Sequence, residues 1–194
     1  MLYVVRHGKT GWNDKKRTMG CMDIPLCDEG IEQSKELRDK LEGINLDLII
    51  CSPLTRAKET AKIINEDKNV EMKIENKIVE RSMGDLECSK YPSYEENERV
   101  WSLEENTSDY YVEPMQKFKD RVYSFLDELV EQYKDKDILL VTHGGVTALI
   151  NCYFNNSLDE GPLTEKFLNN GGVASYELKK SKRLILKQEE KIEG

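Results

Sequence analysis

Three short apolar runs constrain the fold of this chain more than anything else in it. They are Leu2-Tyr3-Val4-Val5, the stretch from Leu46 to Cys51, and Ile138-Leu139-Leu140-Val141-Thr142. Runs this short and this free of polar relief read as strands covered on both faces, the condition of a parallel sheet. Helical patterns lie between them. Asp28 is placed to cap a helix, with Glu29 and Glu32 in its first turn, an apolar stripe at Ile31, Leu37, Leu41 and Ile44, and Gly43 as its stop. Ser52-Pro53 reads as an N-cap followed by proline at the first helical position, with Leu54, Ala57, Ala61 and Ile64 as the inward face. A long amphipathic helix carries Met115, Phe118, Val122, Phe125, Leu126, Leu129, Val130 and Tyr133, and a later one carries Val146, Leu149, Ile150 and Tyr153. Alternation at Val70, Met72 and Ile74 predicts a further strand. Val173 to Leu178 and Leu184 to Lys187, around Lys179-Lys180-Ser181-Lys182, predict a terminal hairpin. Strands alternating with helices give an α/β class, a three-layer α/β/α sandwich with a mostly parallel sheet. The stretch from Glu80 to Glu113 has little periodicity and reads as a small cap or lid inserted there. With no repeat or linker in 194 residues, the expected organisation is one domain, 1–194.

Charge narrows the partners. The 29 Lys and Arg against 37 Asp and Glu leave a net charge of −8, a poor match for nucleic acid or an anionic membrane. An anionic ligand must therefore be held by a local cluster of cations. No apolar stretch approaches a membrane span, and no basic-then-apolar leader opens the chain, so a soluble, cytoplasmic protein is expected; oligomeric state is not legible. Cys21, Cys27, Cys51, Cys88 and Cys152 are odd in number and scattered, which suits reduced thiols better than disulfides or a zinc site. The two histidines, His7 and His143, are too few for a histidine-rich metal centre.

All three runs end in unusual polar residues: Arg6-His7-Gly8, Ser52-Pro53 with Arg56 close behind, and His143-Gly144-Gly145. Right-handed crossovers bring the carboxyl ends of such strands to one edge, where ligands bind in open α/β sheets. One crevice would then collect two imidazoles, two guanidiniums and the N–H groups of two helix starts. Helix starts suit phosphate, and each arginine can grip it with paired hydrogen bonds.

The ordered set resembles the histidine phosphatase superfamily, the phosphoglycerate mutase-like proteins. The matching pieces are Arg6-His7-Gly8-Lys9-Thr10 with Trp12-Asn13, then Gly20 to Gly30 with Asp23, Pro25 and Leu26. Ser52-Pro53-Leu54-Thr55-Arg56-Ala57 and Glu59-Thr60-Ala61 follow, then Glu80 near Gly84 and Glu87, and Val141-Thr142-His143-Gly144-Gly145. The resemblance implies that His7 attacks phosphorus and carries the phosphoryl group as a phosphohistidine. It implies that Arg6, Arg56 and His143 hold the equatorial oxygens, with neither metal nor cofactor. Two neighbouring arginines would keep the His7 imidazole unprotonated; which ring nitrogen attacks is left open. Glu80 stands where the family has its general acid, with Asp85 and Glu87 as near alternatives. Asn13 and the Gly144 backbone would add donors to substrate, and Thr10 would shape the loop. Cys27 stands where many relatives carry Thr, and Lys9 occupies a variable position that is often Glu.

Phosphatases and mutases of this family share the phosphohistidine, so the cap must separate them. Between Ser82 and Glu113 there are two cations, Lys90 and Arg99, against nine acids. That is a poor enclosure for a carboxylated intermediate, which points to water as the acceptor. The expected function is a metal-independent phosphatase acting on a small phosphorylated metabolite. Two alternatives are a cofactor-dependent phosphoglycerate mutase-type transfer and a non-catalytic phospho-ligand binding protein. Tyr91, Tyr94, Trp101, Tyr110 and Tyr111 could cover an uncharged or aromatic leaving group, as in α-ribazole phosphatases, or simply pack the lid. Trp12 and Trp101 read as packing residues.

Overall fold

The computed structural model describes residues 1–90, 98–102, 110–158 and 162–178. In chain order its main elements are β1 (Leu2–Arg6), α1 (Gly11–Asp14), α2 (Asp28–Lys40), β2 (Leu48–Cys51) and α3 (Thr55–Asn65). They continue with β3 (Met72–Ile74), α4 (Met115–Tyr133), β4 (Ile138–Thr142), α5 (Gly144–Asn155) and β5 (Val173–Tyr176). The strands form one five-stranded sheet in the order β3-β2-β4-β1-β5, parallel except for β5.

Alternation of side chains along the buried strands divides the interior between the two faces of the sheet. Val5, Ile49, Cys51, Leu139 and Val141 pack with Leu37 and Leu41 from α2 and Ala57, Ala61 and Ile64 from α3. On the other face Leu2, Val4, Leu48, Ile50, Ile138 and Leu140 pack with Phe118, Val122 and Leu126 from α4 and Val146 and Leu149 from α5. These are the three layers that the apolar runs require. Each fully buried Leu or Ile contributes about 1.5–3 kcal/mol relative to exposure.

Register is what places the site. Val5 pairs with Val141, which pairs in turn with Cys51, so three strands end level with one another. The chain then leaves all three together: His7 N–H donates to Thr142 O at 3.0 Å and Ser52 N–H to Val141 O at 3.0 Å. The loop after β1 lies directly on α2. A Cβ on Gly8 would sit 2.3 Å from Gly30 O, and one on Gly30 would sit 2.0 Å from Lys9 O, so neither position has room for a side chain.

Several local expectations are corrected. Ser52 does not cap α3, which starts at Thr55 after Leu54. Its first residue is met from elsewhere in the chain: Asp23 accepts from Thr55 N–H at 2.6 Å and from the Thr55 hydroxyl at 2.9 Å. The cap of α2 is Cys27, without a side-chain bond, and Asp28 is its first helical residue. Ile31 in α2 is exposed, as is Ile74 on the edge strand β3. The second strand begins at Leu48 rather than Leu46; Asp47 is taken up by Lys136 Nζ at 2.8 Å and Asp137 N–H at 2.8 Å. The tail supplies β5, antiparallel to β1. Leu184 to Lys187, the other half of the expected hairpin, lies outside the described residues, as do Tyr91 and Tyr94 of the expected lid.

Candidate active site

His7 leaves β1 into a buried position. Its Nδ1 lies 2.7 Å from Gly8 O, and its Nε2 lies 3.2 Å from Arg56 Nε. A carbonyl can only accept and a guanidinium can only donate, so Nδ1 carries the proton and Nε2 the lone pair. Of the two ring nitrogens that the sequence left open, Nε2 is the one with an unprotonated lone pair. The imidazolium is held well below the ordinary histidine range, first by burial, then by Arg56 and Arg6, with the Gly8 carbonyl opposing. The arginines named from sequence do contribute, but burial is the larger cause.

Arg56 comes from the first turn of α3 and is buried. Besides His7, its guanidinium donates to Met22 O at 2.7 Å and Gly20 O at 2.8 Å, tying the loop ahead of α2 to the start of α3. Burial pulls its pKa down to about 10, still cationic at neutral pH. Arg6 donates to Leu168 O at 2.7 Å, and a Cβ on Gly144 would lie 3.2 Å from its Cζ. His143 is the N-cap residue of α5 and is wholly buried, its ring edge-to-face with His7 at 5.2 Å between centroids. Its Nε2 lies 2.7 Å from Ser52 Oγ. Burial, then Arg56, His7 and Arg6, hold it neutral well below the ordinary range.

A cavity of about 750 Å³ opens over these groups. Arg6, His7, Asn13, Arg56, Glu80 and Gly144 line it, while His143 stands outside the lining, against His7. Glu80 is fixed on both oxygens: Oε2 accepts from Gly145 N–H at 3.0 Å and Oε1 from Arg81 N–H at 3.0 Å. Of the alternatives, Glu87 turns to Cys21 N–H and Met83 N–H at 2.8 and 3.0 Å, and neither it nor Asp85 lines the cavity. Asn13 uses its amide oxygen to accept from Thr10 N–H at 2.9 Å, closing a capping box on α1 and leaving its NH₂ as the donor for the cavity. Thr10 shapes the loop by that same cap.

The family model described as "Histidine phosphatase superfamily (branch 1)" matches residues 2–190. The chain belongs to that superfamily. A Salmonella choleraesuis relative, "Probable phosphoglycerate mutase GpmB", is 34% identical over 148 residues, which are 74% of this chain and 69% of the relative. The alpha-ribazole phosphatase structure from Shigella flexneri is 28% identical, with a TM-score of 0.70 over 89% of this chain and 87% of that one. Bacillus stearothermophilus YhfR shares the fold with a TM-score of 0.76 at 24% identity, over 89% and 88% of the two chains.

Around Glu80, this histidine phosphatase uses residues that the sequence did not single out. Arg121 donates through Nε and Nη2 to Glu113 at 2.8 and 2.9 Å, and to the carbonyls of Lys77, Val79 and Glu80 at 2.7, 2.7 and 3.1 Å. It thereby sets the backbone from which Glu80 projects. Arg81 is fully buried; it donates to Glu113 O at 2.7 Å and to Val100 O, and its guanidinium lies 5.5 Å from the Trp101 ring centre. Trp101, read as packing, does pack on Phe118 and Phe167 but also lines the cavity. In a chain that is 34% charged, nothing in the sequence marks which arginines are buried. Among the described residues no cluster of His, Cys, Asp or Glu could hold a metal ion, and no helix is long and apolar enough to cross a membrane.

Proposed function

We propose that this chain is a phosphatase for small phosphate monoesters, with His7, Glu80, Arg6, Arg56 and His143 as its catalytic set. The observation that carries the reading is the tautomer of His7, whose Nδ1–H is committed to Gly8 O so that Nε2 presents a lone pair beside two arginines. Nε2 attacks phosphorus and the ester P–O bond breaks, Glu80 giving its proton to the departing oxygen. Glu80 then takes a proton from water, the hydroxide attacks the phosphohistidine, and the P–N bond breaks to release inorganic phosphate. Arg6 and Arg56 hold the negative charge of the transferring group throughout, and Asn13 and the Gly144 N–H complete the grip.

Lys9 favours water over a carboxylated acceptor. Its Nζ is bound by Glu29 at 2.7 Å and Asp14 at 3.8 Å, so a phosphoglycerate carboxylate would compete with both for it at the cavity wall. The wall formed by Trp101, Phe167, Met83 and Met19 suits an apolar or aromatic leaving group, with the two rings 4.9 Å apart at 80°. A mutase remains the second reading because the Salmonella relative carries that name.

A panel of aryl, alkyl and phosphoglycerate monoesters, scored by kcat/KM with and without chelator, tests the reading. Phosphate release is expected to outrun any interconversion of phosphoglycerates primed with bisphosphoglycerate, and chelator to leave the rates unchanged. His7→Ala should abolish turnover together with the acid-labile phosphoenzyme; unchanged turnover would sink the mechanism. Trp101→Ala should lower kcat/KM about tenfold for aryl esters and much less for alkyl ones, a scale set by ring contacts and lost apolar area.

A further inference from the structure

Ser52 stands first in the run whose arginine faces the nucleophile, yet it neither caps α3 nor lines the cavity. Its side chain is fully buried and meets His143 Nε2 at 2.7 Å. The direction of that hydrogen bond decides what His143 can do. Leu54 N–H points at Ser52 Oγ from 3.4 Å, a long contact in which the oxygen is the acceptor. Among the described residues the acceptor offered to the Ser52 hydroxyl hydrogen is then His143 Nε2. A neutral imidazole that accepts at Nε2 carries its proton on Nδ1.

Among the described residues, His143 Nδ1 is buried and has no hydrogen-bond partner. A buried N–H without a partner is a costly group to keep, and its ring lies edge-to-face against His7. With the two ring centroids 5.2 Å apart, a group bonded to His7 Nε2 would bring an oxygen acceptor toward the His143 ring. In the opposite tautomer a lone pair would face that oxygen and repel it.

We propose that Ser52 is a positioning residue that sets the tautomer of His143: its hydroxyl donates to Nε2, and Nδ1–H donates to a phosphoryl oxygen on His7. The proposal rests on the phosphohistidine reading. No bond beyond hydrogen bonds changes through Ser52 itself, whose proton stays on oxygen through both half-reactions. The single serine hydroxyl therefore does for His143 what the Gly8 carbonyl does for His7, with the opposite sense: one ring keeps its proton on Nδ1 to free Nε2 for attack, the other to donate it.

Nitrogen NMR shifts of the two imidazoles in the full chain test this directly. His143 is expected to show a protonated Nδ1 and an unprotonated Nε2, and Ser52→Ala to lose that bias. Ser52→Ala should also lower kcat about ten- to a hundredfold, the rate equivalent of one charge-assisted hydrogen bond, with KM little changed. In a His143→Gln background the same substitution should change kcat less than about twofold, because Ser52 acts through the ring. Ser52→Thr, which keeps the hydroxyl, should retain the wild-type tautomer. A wild-type His143 protonated on Nε2, or an undiminished Ser52→Ala effect in the His143→Gln background, would overturn the proposal. Trapping of an acid-labile phosphoenzyme from radiolabelled substrate separates the two levels. If it forms while the tautomer is the wrong one, this proposal alone fails; if it does not form, the phosphohistidine reading fails first.

Discussion

His7 and His143 are both held neutral inside the fold, and that has a consequence for stability as well as for chemistry. Their folded pKa values lie well below the ordinary range, chiefly through burial. In the unfolded chain each would protonate near ~6.5, so below that pH the unfolded state binds protons that the folded state refuses. Stability is therefore fully present above the unfolded pKa and falls as pH drops toward the folded one. The slope is on the order of 1 kcal/mol per pH unit for each ring. Denaturant titrations between neutral pH and mild acid should show His143→Gln losing stability less steeply than the wild type by about that amount for one ring. Equal slopes would mean that His143 accepts a proton freely in the fold. At this scale the sequence pointed to both histidines through their shared setting, each after a strand and before a glycine. It could not show that one faces a carbonyl and the other a hydroxyl, since those partners are set by loop geometry.

At the scale of elements, the start of α5 shows how a helix terminus is put to use. Gly144 and Gly145 read from sequence as a phosphate-binding helix start, and Gly144 does line the cavity. Gly145 instead gives its N–H to Glu80, so the N-terminal donors orient the acid as well as facing the ligand. Propensity alone would make Gly145→Ala stabilising by about 0.5–1 kcal/mol inside a helix. The added Cβ would lie 2.6 Å from the Trp101 ring and 2.7 Å from Glu80 Oε1, so the opposite is expected. Gly145→Ala should gain no melting temperature and, if Glu80 is the proposed general acid, should lose kcat by about tenfold or more. A stabilised variant with intact kcat would show that Trp101 and Glu80 yield freely. Elements with a strong local pattern, β1, β4 and α4, emerged close to where the apolar periodicity placed them. Ser52-Pro53 has the local pattern of a cap, but the cap rule is local and α3 starts at Thr55. The donor that Ser52 should have met is satisfied by Asp23, brought over from a loop 32 residues away, and the serine is drawn instead to His143, the N-cap of α5 just beyond the neighbouring strand β4.

For the whole molecule, a net charge of −8 coexists with a cavity that gathers Arg6 and Arg56. Inorganic phosphate, the product, should occupy that cavity and stabilise the folded chain by linkage. At a hundred times its Kd the gain is about 2.7 kcal/mol, or roughly 5–10 °C in Tm for a chain of this size. Thermal melts with phosphate against chloride at matched ionic strength check this, and Arg6→Ala should remove most of the shift. A shift as large in Arg6→Ala, or reproduced by chloride, would place the anion elsewhere. The amino-acid sequence by itself determined the α/β class, the parallel sheet and the two histidines, because short apolar runs and their polar ends are properties of contiguous residues. Tertiary structure alone decided which nitrogen of His7 is free, that Arg121 and Arg81 are drawn inward to hold Glu80 and Trp101, and that Ser52 belongs to His143. Those are contacts between residues tens of positions apart, made only when three strand ends are brought level in one sheet.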